Sequence, residues 1–322
     1  MDGKVIDSNT NDQVVLDDML IVSLSPHIRS DESVRRMMLD VIIALVPAMI
    51  GAIYFFGFNA IRLLLVTVIA TLVFEFAIQK LFKKPIRIMD LSAVVTGILL
   101  ALNLPAGTPW WVAVFGAGFA IIIVKEFFGG IGSNFMNPAL AARAALVASW
   151  PGIMTNYLTP DGISAATPLA IMKSGGTNLP ALQRMFFGDI GGVIGETSAV
   201  LLLIGGIYLI LRQVIDWKIP VLYIATTAGV LLLFGIAPGN LIYHVLGGGL
   251  ILGAFFMATD YSSSPVTPKG RIVFAIGCGI LTALIRVKGG SSEGVMYSIL
   301  IMNVATPLIE RLTKPRVFGE VK

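Results

Sequence analysis

The sequence predicts an all-α polytopic membrane protein of about ten transmembrane helices, built as two five-helix inverted repeats with short, half-helix-like spans. Three observations carry that prediction: the composition, the spacing of the apolar runs and the distribution of Lys and Arg. Of 322 residues, 56% are hydrophobic and 13% charged, with a mean hydropathy of +0.86. A soluble globular chain carries about 25% charged residues, so a soluble enzyme, a disordered chain and a nucleic-acid binder are all excluded. The net charge of +4 sits in short connections between apolar runs, where it sets membrane orientation and forms no patch for a polyanion.

A bilayer core of about 30 Å takes about 20 helical residues. Ten candidate spans lie near 37–57, 60–80, 89–104, 109–128, 137–150, 191–211, 218–236, 240–258, 270–287 and 293–310. Before them, residues 1–36 are polar and acidic, with no short apolar core and small-residue cleavage site, and are expected to form a cytoplasmic N-terminal segment. Trp110 and Trp111 are expected to mark an interfacial belt at the start of span four. Spans three and five are short and bordered by Pro or Gly, which fits half-helices lining a cavity or short tilted helices in a crowded bundle. Asn137-Pro138 should start span five, Asn as cap and Pro in the first turn.

Arg35 and Arg36, the Lys80–Arg87 loop, Arg212 with Lys218, Lys269 with Arg271, and Arg311 with Lys314 all fall on one side of a ten-span chain. The positive-inside rule makes that side cytoplasmic. Both termini are then inside and the longest loop, 151–190, is external; Arg62, Lys173, Arg184, Arg286 and Lys288 fall on the outer side. Gly129-Gly130 and Gly289-Gly290 each lead into the closing span of a five-span unit, and Gly97 and Gly247–Gly249 are expected to hold comparable positions. Two odd-numbered units have opposite orientations, the inverted-repeat plan. The expected organisation is 37–150, first repeat; 151–190, external loop; 191–310, second repeat; and 311–322, cytoplasmic tail.

The single cysteine, Cys278, lies in an apolar run, and the two histidines, His27 and His244, lie on different segments. An internal disulfide, iron–sulfur cluster or structural zinc is excluded within this chain. Any electron carrier must be organic. Cys278 and His244 are expected to be packing residues, and no metal site is expected.

The external loop contains Asp161-Gly162-Ile163-Ser164-Ala165-Ala166-Thr167-Pro168. Pro160-Asp161-Gly162 turns the chain, and the small residues should leave Thr167 open. By composition alone this is a capped loop. Asp-Gly-x-Ser-x-Ala-Thr, however, resembles the signature at which a flavin transferase links FMN through its phosphate to a threonine hydroxyl. Other stretches accompany it: Ser25–Ile28, Met37–Val41, Gly129-Gly130-Ile131-Gly132-Ser133-Asn134-Phe135-Met136-Asn137-Pro138-Ala139 and Met257–Asp260. Together they resemble, over essentially the whole chain, the D subunit of the Rnf electron-transport complex and its relative, the B subunit of the sodium-translocating NADH:quinone oxidoreductase. Ala165 departs from the usual glycine, which matters if that position needs a positive φ.

That resemblance implies covalent FMN on Thr167, transferred from FAD by a separate flavin transferase, with Asp161, Ser164 and Ala166 as the attachment motif. It also implies a second, noncovalent flavin, riboflavin among the options, for which Asn103, Lys125, Asn137 and Arg143 are candidate contacts. The implied partners are the other Rnf subunits, the lipid bilayer and Na⁺ or H⁺, with no nucleic acid. The chain would then be an inner-membrane electron-transport component of a translocating ferredoxin:NAD oxidoreductase, inactive alone. The quinone-reductase relative is disfavoured by the short N-terminal region, and a non-redox solute channel by the Thr167 motif.

Among polar residues at membrane depth, Arg143 is expected to clamp an anion or, more simply, to pair with a carboxylate such as Glu126. Glu75, Glu196 and Asp260 are ion-path candidates, although Glu75 and Glu196 are placed to reach the interface instead. Asp40, four residues after Arg36, has the spacing of a helix-surface pair.

Overall fold

The computed structural model describes residues 33–176, 179–196, 198–290 and 293–314. The Ser25–Ile28 stretch, with His27, lies outside the described residues. Among those described the chain is mostly helical, with three isolated β-bridges and no strand.

The first half comprises α1 (Val34–Phe56), α2 (Phe58–Leu81), α3 (Ser92–Leu102), α4 (Trp110–Gly118) and α5 (Pro138–Ser149). Three short helices follow: α6 (Pro151–Met154), α7 (Pro168–Lys173) and α8 (Leu182–Phe187). The second half comprises α9 (Ala199–Leu211), α10 (Lys218–Leu233), α11 (Pro238–Leu246), α12 (Leu250–Leu252), α13 (Pro268–Lys288) and α14 (Val295–Thr313). Four helices, α1, α2, α13 and α14, are long and apolar enough to cross a membrane. A fifth span arises if α11 and the segment Leu250–Met257, bent by 60° at Gly247–Gly249, count as one. Apolar helices α3, α5, α9 and α10 are shorter, and α4 runs on as a π-helix, Phe119–Glu126. A second π-helix, Gly253–Met257, extends α12.

The surface is that of a protein solvated by lipid. Ile50, Leu65, Ile69, Leu233 and Val304 point outward, whereas Thr67, Thr71, Tyr223 and Thr227 are buried. Inside, Tyr223, Thr282 and Ser298 close a triangle of hydroxyl hydrogen bonds, each 2.7–2.8 Å. With no water to satisfy them, buried polar groups pair with one another. Helix α2 packs on α3 and α4, α10 packs on α11 and α13, and α1 packs against α9. Gly205 permits the last contact, because a Cβ there would collide with the Ala44 carbonyl oxygen.

Two features differ from expectation. Span six begins only at Ala199; residues 191–196 are not helical, and residues 193–195 pair with the end of α3. The Ile194 amide donates to the Leu104 carbonyl (3.1 Å) and Gly195 to that of Leu102 (2.9 Å), and Pro105 bridges Val193. Irregular backbone is tolerated here because protein supplies the partners lipid cannot. Gly97 and Gly247–Gly249 are also not comparable. Gly97 sits within continuous α3, where a Cβ would meet Thr71 Oγ1 at 2.7 Å, whereas Gly247–Gly249 form a break.

The start of α5 is as expected. The Asn137 side chain accepts hydrogen bonds from the amides of Ala139 (3.1 Å) and Leu140 (3.2 Å), with Pro138 in the first turn.

Candidate functional site

Three constellations stand out: the Asp161–Thr167 loop, a buried ion cluster around Arg143, and a second around Lys125. In the loop, Thr159 and Gly162 close a turn, with Thr159 N donating to Ile163 O (2.8 Å) and Gly162 N to Thr159 O (2.9 Å). Gly162 has φ 78°, which only glycine adopts without strain. Ser164 Oγ donates to Asn156 (2.6 Å), and Ala165 N to the Tyr157 carbonyl (2.9 Å). Asp161, Ser164 and Ala166 are exposed. Ala165 is not among the residues with positive φ, so its methyl brings no backbone strain.

Thr167 is the N-cap of α7; its hydroxyl accepts from Ala170 N at 3.3 Å. The small neighbours do not leave it open as expected, because the residue is only 8% exposed. Capping draws the hydroxyl onto the helix end, and α7 lies on the bundle. Any chemistry at this oxygen therefore competes with its capping contact to the Ala170 amide.

Arg143, on α5, is the centre of the second constellation. Its guanidinium donates to Asn103 Oδ1 (2.9 Å), Glu196 Oε1 (3.1 Å) and Glu293 Oε2 (2.5 Å). Glu126 is not its partner; that carboxylate pairs with Lys84 (3.1 Å). Glu196 does not reach the interface, because the irregular segment before α9 carries it inward to Arg143, where its side chain is 9% exposed. Tyr157 OH donates to Glu293 Oε1 (2.9 Å) and so ties the Thr167 loop to this cluster. Burial, together with the neighbouring Glu293 carboxylate, raises the Tyr157 pKa above its ordinary value and keeps the hydroxyl a donor.

The third constellation lies at the opposite end of the bundle. Lys125, in the π-helix after α4, donates to Glu75 Oε1 and Ser92 Oγ, both at 2.6 Å. Glu75 is 1% exposed; it too stays inside instead of reaching the interface, since a lysine partner waits there. Gln79 donates to Glu75 (3.2 Å) and Glu126 (3.1 Å). Asp40 is likewise buried, and accepts from Tyr208 (2.8 Å) of α9 and from Arg212 (3.2 Å) just beyond it.

Lys125 and Asn137 line one cavity with Ser92, Asn134, Thr259 and Asp260. Asn134 Oδ1 is buried there without a partner among the described residues, an acceptor that suits a donor-bearing ligand. Asn103 and Arg143 belong to the other cluster and do not line this cavity. Asp260 accepts from Ser262 (3.1 Å) and Ser263 (2.9 Å). Burial nonetheless holds its pKa above the ordinary carboxylate value, so its contribution to stability is fullest at low pH and is lost as pH rises through the folded-state pKa. Asp260→Asn is therefore expected to raise Tm at pH 8 and to flatten its fall between mildly acidic and alkaline pH, read by thermal unfolding in detergent.

His244 and Cys278 are buried, and no cluster able to hold a metal occurs among the described residues. Trp110 and Trp111 are exposed. Sequence reasoning did not single out Glu293, Tyr157 or Arg286. Arg286 did carry a signal, as a cation on the side opposite the charge bias.

Over residues 21–319 the chain matches the NQR2, RnfD, RnfE family. It belongs to that family. One relative is the D subunit of the Na⁺-translocating ferredoxin:NAD⁺ oxidoreductase complex of Acetobacterium woodii, 56% identical, with 94% of this chain and 96% of the relative aligned. The D subunit of the proton-translocating ferredoxin:NAD⁺ oxidoreductase complex of Clostridium ljungdahlii is 45% identical, over 92% and 96%. The D subunit of an ion-translocating oxidoreductase complex from Stutzerimonas stutzeri is 38% identical, over 89% and 92%. These relatives include an Na⁺ and an H⁺ system, so family membership leaves the ion open.

Proposed function

We propose that this chain is the D-type membrane component of an ion-translocating ferredoxin:NAD oxidoreductase, carrying FMN esterified through its phosphate to Thr167. The observation that carries this is the Asp161–Thr167 motif on an ordered loop, in a chain whose near relatives are named as D subunits of such complexes. Those names favour the ferredoxin:NAD complex over the quinone-reductase alternative. In maturation the Thr167 oxygen forms a bond to the FMN phosphorus of FAD, its proton is lost, and AMP leaves; a separate transferase supplies the base. Bound flavin accepts and donates electrons singly or in pairs.

The ten-span, two-unit plan belongs to this proposal. Its support is the pairwise likeness of packing, α2 on α3 and α4 beside α10 on α11 and α13, and a π-helix in each half. With both termini cytoplasmic, the Thr167 loop is external and the Asp260 end internal. The cavity lined by Lys125, Asn134 and Asn137 is the seat we assign to a second, noncovalent flavin such as riboflavin. Glu75 and Asp260 at the inner end and Glu196 nearer the outer end are the ion-path candidates.

The test is co-expression with a flavin transferase, a denaturing gel and ultraviolet illumination. The wild-type band should fluoresce, Thr167→Ala should fall to background, and Thr167→Ser should keep part of the signal. A dark wild-type band beside a labelled control substrate overturns the covalent-flavin assignment and brings solute transport forward.

A further inference from the structure

The break at Gly247–Gly249 is crowded from three directions. A Cβ on Gly248 would lie 2.5 Å from Leu169 of α7 and 2.9 Å from Arg286 Nη2, and one on Gly249 would collide with Glu196 Oε1. Both glycines have positive φ, 63° and 68°. On the Thr167 side of the break lies a cavity of about 420 Å³, lined in part by Leu169, Lys173, Asn240, His244 and Arg286. On the other side, Phe255 and Phe256 line the cavity that contains Lys125 and Asp260.

Helix α11 ends at Leu246, and its last carbonyls carry the negative end of the helix dipole. In discontinuous membrane helices, such C-terminal carbonyls coordinate transported cations. Here the position is already taken. Arg286, 4% exposed, donates to the carbonyls of His244, Gly247 (3.1 Å) and Gly248 (3.2 Å). Among the described residues no salt bridge includes Arg286; the backbone carbonyls it holds, with the more distant carboxylates of Glu196 and Glu293, offset its charge. Among the described residues no carboxylate lines the adjoining cavity, while Lys173 adds a second positive charge.

We propose that Arg286 is a tethered cation that fills the carbonyl site at the broken helix and seals the outer cavity against free monovalent cations. A fixed charge in a low-dielectric constriction repels a second cation strongly. The seal keeps the membrane tight when electrons are not flowing. This inference rests on the proposed role in an ion-translocating complex, and assigns Arg286 as a selectivity residue of that complex.

The test uses the purified complex in proteoliposomes loaded with Na⁺ and a large dye, without electron donor, and follows passive Na⁺ efflux. Arg286→Gln should leak Na⁺ on the order of tenfold faster than wild type, with the dye retained, and Arg286→Lys should stay nearly tight. Asn240→Asp, isosteric at an exposed site in the same cavity, should give a smaller rise, roughly threefold. It keeps the test decisive if Arg286→Gln does not assemble. Tight vesicles with assembled Arg286→Gln, or with Asn240→Asp alone, overturn the seal. So do equal leaks through Gln and Lys, which indicate packing instead of charge, and loss of the dye, which indicates general disruption. In-gel flavin fluorescence of the same samples is read separately, so a failed seal and a failed flavin assignment are told apart.

Discussion

Arg143→Met is expected to destabilise the protein by about 3–5 kcal/mol, the usual cost of removing one member of a buried ion cluster. The substitution leaves Glu196 and Glu293, 9% and 16% exposed, facing each other without their shared cation. It also leaves Asn103 Oδ1 without its guanidinium donor. In detergent, a fall in Tm of roughly 10 °C is expected, at about 2–4 °C per kcal/mol for a chain approaching this size. Because Tyr157 reaches the cluster through Glu293, the Thr167 loop should loosen too, and limited proteolysis should cut it at residues 158–166 faster than in wild type. An unchanged Tm would mean that the carboxylates find water or protons at no cost. Adding Glu293→Gln to Arg143→Met should recover part of the loss, since one of the two stranded charges is gone.

Lys125→Met should be comparably severe, again about 3–5 kcal/mol, for the same reason. Glu75 and Lys125 are 1% and 2% exposed at a separation of 2.6 Å. Ser92 Oγ also loses its ammonium contact at 2.6 Å. The decisive measurement is the double substitution Lys125→Met with Glu75→Leu. Replacing both members of a buried pair by apolar groups is often neutral, so Tm should return most of the way to wild type, whereas the single variant stays low. If the double variant is as unstable as the single one, Lys125 acts through packing of the π-helix and not through its charge. Loss of ion-coupled activity in a folded double variant would then measure the role of the Glu75–Lys125 pair in function apart from its role in stability.

How far the sequence reaches is visible at neighbouring residues. Asn137-Pro138 was legible because a cap is local: acceptor and donors lie two and three residues apart. Arg143, six residues on, was legible only as a buried charge needing a carboxylate, not as to which one. Its partners stand 40, 53 and 150 residues away, and no periodicity within a helix encodes such a meeting. Glu75 and Glu196 were misplaced toward the interface because snorkelling is the default for an isolated helix. Each has a cation waiting on another element, and pairing inside outweighs reaching out.

Composition, apolar run lengths, turn and cap residues and the Thr167 motif are properties of short stretches, so the sequence alone determined the membrane class, most helix positions and the loop that carries the motif. Tertiary structure decided where spans break, that the Thr167 hydroxyl is buried as a cap, and which charges neutralise one another. The physical reason is the solvent. Lipid satisfies no hydrogen bond or charge, so polar groups at depth turn to partners in the protein, and those partners are fixed only when distant segments pack.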